Sequence, residues 1–124
     1  MKILLVEDHE DSRDILANLL ARCGHQVNTA GSMCDALALL NDFEFEGLIC
    51  DIGLPDGSGL DLAAEARSRQ PWKRMVALTG RERDDEKERG LAVGFDAYLT
   101  KPFDLHELRT IFAERSEASR DRVR

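Results

Sequence analysis

Residues 2–8 read Lys2-Ile3-Leu4-Leu5-Val6-Glu7-Asp8, an apolar run that ends abruptly in two acids. The pattern recurs downstream. Leu48-Ile49-Cys50 ends in Asp51, Met75-Val76-Ala77-Leu78 ends in Thr79-Gly80, and Ala97-Tyr98-Leu99-Thr100 ends in Lys101-Pro102. Each run has strand length, and strands buried on both faces read as continuous apolar stretches. As parallel neighbours, they bring three carboxylates, a hydroxyl and an ammonium to one edge of one sheet. Open α/β sheets place their chemistry at that carboxyl edge. Such a cluster suits a divalent cation and the handling of a phosphoryl group.

Segments of helical period separate the runs. Ile15, Leu16, Leu19 and Leu20 predict one buried helical face, closed by Cys23-Gly24. A short second strand is expected around Gln26-Val27-Asn28-Thr29. Ser32 reads as an N-cap with Asp35 three residues on, and Met33, Ala36, Leu37 and Leu40 form the stripe behind it. Leu54-Pro55-Asp56-Gly57 is a loop of turn formers. Ser58 with Asp61 then opens a third helix carrying Leu60, Ala63 and Ala64, which ends before Pro71. No apolar residue occurs from Arg81 to Arg89, so a fourth helix must pack through Leu91, Ala92 and Val93. Packing supplies most helical stability, so this helix is expected to be the loosest. Asp104 and Glu107 open a fifth, whose Leu105, Leu108, Ile111 and Phe112 face the sheet.

Five strands alternating with five helices predict an α/β fold, a doubly wound (βα)5 three-layer sandwich with parallel order 2-1-3-4-5. Its switch point lies between strands one and three, where Glu7, Asp8 and Asp51 stand. The 124 residues read as one domain over residues 1–116 and a charged tail over 117–124, expected to fray. No apolar run approaches the ~20 residues that span a bilayer, and no leader opens the chain, so a cytoplasmic protein without direct membrane contact is expected. A net charge of −7 argues against a nucleic-acid surface. Cys23, Cys34 and Cys50 lack CxxC spacing and are expected to be small buried hydrophobes in a reducing compartment.

Carboxylates crowded into one pocket repel each other, by about 4 kcal/mol per pair at ~4 Å and an effective dielectric of 20. A hard divalent cation relieves this, and an all-oxygen set suits Mg2+. Asp8 and Asp51 are the expected direct ligands, Glu7 acts through water, and the backbone carbonyl of Gly53 completes the set. A carboxylate nucleophile can take a phosphoryl group as an aspartyl phosphate. Lys101 and Thr79 supply the cation and the hydroxyl for the transferring oxygens.

With these residues in place the chain resembles a response-regulator receiver domain of two-component signalling, from about Lys2 to Ser116. The resemblance implies a flavodoxin-like sheet, an Mg2+-binding acidic pair at Glu7-Asp8, and a phosphoacceptor at Asp51. It also implies a switch hydroxyl at Thr79, a catalytic Lys101 before Pro102, and a rotamer-switching aromatic at Tyr98. A histidine kinase or histidine phosphotransfer domain would donate to Asp51. Thr79 and Tyr98 would then respond, and the face of the fourth helix, fifth strand and fifth helix would change its downstream protein partner. No conventional turnover is implied beyond self-phosphorylation and autodephosphorylation. Gly53 and Gly80 depart from the family pattern at positions that tune phosphoryl lifetime. No output domain is expected within the residues after Ser116, so a free-standing regulator, a phosphorelay intermediate and a receiver excised from a hybrid sensor kinase all fit. Ile3–Arg13 and Asp51–Leu62 are similar to receivers of such kinases.

Other motifs fall short. His9-Glu10 begins like HExxH, but Arg13 stands where the second His belongs. Gly57-Ser58-Gly59 begins like a dinucleotide loop, but Leu62 replaces the third Gly. An Asp-nucleophile phosphohydrolase is disfavoured because Gly53 stands where such enzymes carry an acid/base Asp, and a flavodoxin-type flavin carrier is disfavoured because Glu7-Asp8 would repel the flavin phosphate. Trp72 is expected to cover the end of the sheet. His25 and His106 are expected at exposed positions.

Overall fold

The acid-terminated runs form strands, and the strands lie side by side. The computed structural model describes residues 1–80, 94–100 and 106–112. In chain order the elements are β1 (Lys2–Val6), α1 (Glu10–Arg22), β2 (Gln26–Ala30), α2 (Met33–Asp42) and β3 (Gly47–Asp51). A two-residue pair follows, β4 (Gly53–Leu54) and β5 (Gly57–Ser58), then α3 (Gly59–Arg69), β6 (Arg74–Thr79) and β7 (Ala97–Thr100). Residues 106–112 are helical. The main sheet is parallel throughout, in the order β2-β1-β3-β6-β7. This is the expected 2-1-3-4-5 arrangement, renumbered because the β4–β5 pair intervenes. The expected fourth helix, Lys101, Pro102, Asp104, Leu105 and the tail fall outside the described residues.

Alternation along the strands sorts the core into two layers. Ile3 and Leu5, Ile49, Val76 and Leu78, and Leu99 pack with Leu16 and Leu20 of α1 and with Leu108 and Phe112. Leu4 and Val6, Leu48 and Cys50, and Met75 and Ala77 pack on the other side with Ala36 and Leu40 of α2 and Leu60, Ala63 and Ala66 of α3. Fully burying one such aliphatic side chain is worth roughly 1.5–3 kcal/mol. At the amino edge Trp72 stacks on Phe45, with centroids 6.4 Å apart, and its Nε1 donates to the Ala66 carbonyl at 2.9 Å. It covers that end of the sheet as expected.

Helix ends follow the local chemistry. Gly24 takes φ +95°, a left-handed conformation that side chains disfavour. Its N–H donates to the Ala21 carbonyl and the His25 N–H to the Leu20 carbonyl, closing α1 in a Schellman motif. Ser32 Oγ accepts from Asp35 N at 3.1 Å and Ser58 Oγ from Leu60 N at 3.1 Å, so both predicted caps form.

Several burial expectations are corrected. Ile15 is 55% exposed, because α1 meets the sheet through the narrow stripe of Leu16 and Leu20, with Ala17 partly buried beside it. Ala64 is exposed, because α3 turns Leu62 and Ala66 inward instead. Cys23 and Cys34 sit exposed at helix ends, and only Cys50 is buried. His25 is half-buried rather than exposed, meeting Phe112 edge-on at 5.9 Å. Desolvation holds its pKa below the usual value, and the nearby terminal ammonium adds to this. No helix among the described residues is long and apolar enough to cross a membrane.

Candidate functional site

Parallel register aligns the carboxyl ends of the strands. Val6 stands opposite both Ala30 and Cys50, Asp51 opposite Leu78, and Thr79 opposite Thr100. The residues just past these pairs therefore gather at one edge. Glu7 continues β1 by donating its N–H to the Ala30 carbonyl at 3.0 Å, and it is wholly buried. The side chain of Asp8 is about a third exposed. Asp51 and Thr79 are buried polar residues at the ends of the central strand β3 and its neighbour β6. A buried carboxylate needs a cation or several hydrogen bonds to offset its lost hydration.

Around Asp51 the backbone is tightly held. Gly53 N donates to Asp51 Oδ1 at 3.1 Å, Ile52 N to the Leu78 carbonyl at 2.9 Å, and Gly59 N to the Ile52 carbonyl at 2.7 Å. A Cβ on Gly59 would collide with the Asp51 carbonyl oxygen and stand 2.9 Å from Ile52 Cα. Only glycine lets α3 start so close to Asp51. Burial pushes the neighbouring Cys50 thiol far above its usual range, and the Asp51 and Glu7 charges push it further. That thiol stays protonated and unreactive.

One grouping differs from the acids singled out by spacing. Among the described residues, the ligand atoms that fall within 4.8 Å of one another are those of Glu7, Asp8 and His9. His9 Nδ1 lies 3.4 Å from Glu7 Oε2 and 3.4 Å from Asp8 Oδ1, and the His9 N–H donates to Glu7 Oε2 at 3.2 Å. Arg13 Nη1 donates to the Glu7 carbonyl at 3.0 Å. In the sequence His9 and Arg13 stand out only as parts of a failed zinc motif. Their one local signal is their closeness to the acidic pair.

The donor set is oxygen-rich: carboxylates of Glu7 and Asp8 at one strand end, that of Asp51 at the next, and the exposed Gly53 backbone beyond it. These residue types fit a hard divalent cation. Tyr98 is half-buried opposite Ala77, and its ring meets Phe95 edge-on at 5.8 Å and 71°. Lys101 follows Thr100 directly in the chain and lies outside the described residues.

The chain matches the family model of the response regulator receiver domain over residues 3–113. It is 38% identical over 109 residues to the transcriptional regulatory protein PmrA of Pectobacterium parmentieri, covering 88% of this chain and 49% of that protein. It is 33% identical to the sensor histidine kinase RcsC of Escherichia coli K12, covering 98% of this chain and 13% of that protein. The chain thus spans about half the length, or less, of these relatives. Among solved structures, it resembles a response regulator of Burkholderia pseudomallei with a phosphorylated aspartic acid and a calcium ion. The TM-score is 0.82 at 30% identity, covering 96% of this chain and 72% of that one.

Proposed function

The chain belongs to the response regulator receiver domains of two-component signalling, a family that interacts with histidine kinases and generally binds Mg2+ in an acidic pocket, and from that premise we propose that Asp51 is its phosphoacceptor. The observation that carries this reading is the nearly buried Asp51 carboxylate ending the central strand β3, next to the strand that leads into Glu7 and Asp8. A carboxylate oxygen of Asp51 attacks the phosphorus of a phosphohistidine on a kinase or phosphotransfer domain. The P–N bond breaks, its electron pair stays on the imidazole nitrogen, and an acyl phosphate forms. Water later returns the carboxylate and inorganic phosphate.

Asp8, Asp51 and the Gly53 carbonyl are the groups that would hold Mg2+, with Glu7 acting through water. The bound cation supplies neutralisation of the phosphoryl oxygens. Thr79 offers its hydroxyl and Lys101 its ammonium to the same oxygens. Tyr98 turns in response to Thr79, and the face around β7 changes its protein partner. No nucleic acid or membrane contact is assigned to this domain, and a cytoplasmic location accords with the reading. Gly53 has no acid/base side chain, which argues against a turnover phosphohydrolase. The alignment to a sensor kinase along 98% of the chain supports a second setting, a receiver within such a kinase or a relay intermediate.

The test is intact mass after acetyl phosphate, with and without Mg2+, on wild type and Asp51→Asn. Gain of one phosphoryl group in wild type only, and only with Mg2+, is expected. No adduct in wild type, together with no response to beryllofluoride, would overturn the reading.

A further inference from the structure

α3 reaches from the phosphoacceptor loop to the start of β7. Its first residue, Gly59, is packed against the Asp51 backbone. About two turns on, Arg67 Nη2 donates to the Gly94 carbonyl at 2.7 Å. Gly94 has φ +101°, and a Cβ there would stand 2.7 Å from Arg67 Cζ and 2.8 Å from Nε. The guanidinium fills the space where a side chain at position 94 would go. On the far side of Phe95, Asp96 N donates to the Met75 carbonyl at 2.7 Å and Asp96 Oδ2 accepts from Met75 N at 2.7 Å. Phe95 is therefore clamped on both flanks, to α3 through Gly94 and to β6 through Asp96. The residue is 3% exposed, and its ring is the one that Tyr98 meets edge-on.

We propose that Arg67 is a positioning residue for Tyr98: by holding the Gly94 carbonyl it fixes Phe95 as the wall that sets the resting orientation of the Tyr98 ring. The proposal rests on the reading of Tyr98 as the switch residue and adds a determinant on α3, away from Thr79. Edge-to-face contacts favour one ring arrangement by roughly two- to tenfold. Freeing Phe95 shifts the Tyr98 orientations by a factor of that order. Arg67 is exposed and lies at neither the cation site nor the acceptor, so its loss leaves the phosphoryl chemistry intact.

Tyr98 is the sole tyrosine of the chain, so 3-fluorotyrosine labelling yields one 19F resonance that reports its ring alone. Spectra of wild type, Arg67→Ala, Arg67→Lys and Phe95→Leu are compared with and without Mg2+ and beryllofluoride. Arg67→Ala and Phe95→Leu should each move or broaden the resting resonance, and Arg67→Lys should restore the wild-type position. A resting resonance unmoved in Arg67→Ala, even with a lowered Tm and whatever Phe95→Leu shows, would overturn the proposal and reduce Arg67 to a structural contact. If the wild-type resonance ignores beryllofluoride although Asp51 still accepts a phosphoryl group, the switch reading of Tyr98 falls. The resting spectra then still decide the role of Arg67.

Discussion

At Asp51 the main chain sets the geometry as much as the carboxylate does. Gly59 approaches the Asp51 carbonyl so closely that a methyl group has nowhere to go, whereas a Cβ on Gly53 meets nothing within 4 Å. Overpacking against backbone typically costs about 1–3 kcal/mol. Gly59→Ala should therefore lower the urea midpoint by a corresponding amount at unchanged m-value, and slow acetyl phosphate labelling by displacing the acceptor loop. Gly53→Ala should stay within about 0.5 kcal/mol of wild type in stability. Equal stabilities for the two variants would refute the close-approach argument. The sequence marks Gly59 only as part of an incomplete dinucleotide loop, because the group it touches lies eight residues earlier. His9 is similar. Its identity and its failure as a zinc ligand are legible, but its place between two carboxylates is a product of the turn out of β1.

For a helix, the first N–H groups need partners from outside. In α2, Ser32 Oγ takes Asp35 N, while Asp56 Oδ1 takes Met33 N at 2.8 Å and Asp56 Oδ2 takes Cys34 N at 2.9 Å. Ser32→Ala should cost about 1 kcal/mol. The two N–H groups also hold the Asp56 carboxyl below its ordinary range. A lowered folded-state pKa means that the unfolded chain binds the proton first as pH falls. The stabilisation is thus complete above the ordinary Asp value of about 3.9 and is lost as pH falls through the folded-state value. The gap in denaturation midpoint between wild type and Asp56→Ala should be open at neutral pH and close in acid. A gap of constant size would count against the capping role. The Ser32 cap was readable from its Ser-x-x-Asp spacing, and Asp56 was readable only as a turn former, since its helix lies over twenty residues away in the chain.

Across the whole molecule, the order β2-β1-β3-β6-β7 draws carboxylates from separate strands to one edge of a chain whose net charge is −7. A cation bound there stabilises only the folded state, by about 1.4 kcal/mol at ten times its Kd. Mg2+ should raise the Tm of wild type beyond the effect of matched ionic strength, and should do so less in Asp8→Asn or Asp51→Asn. Equal shifts in all three would mean general screening rather than a site. The sequence by itself determined the five strands of the main sheet, their parallel order, the helix caps at Ser32 and Ser58, and the acids at the strand ends, because apolar runs, turn residues and caps act over a few neighbouring residues; the β4–β5 pair it read only as a loop of turn formers. Tertiary structure alone decided which stripe each helix buries, leaving Ile15 and Ala64 outside. It also decided that Asp56 caps the start of α2 and that Arg67 holds Gly94, 23 and 27 residues apart in the chain. Such pairings depend on how packed layers meet, and no periodicity within one segment records the surface it will face.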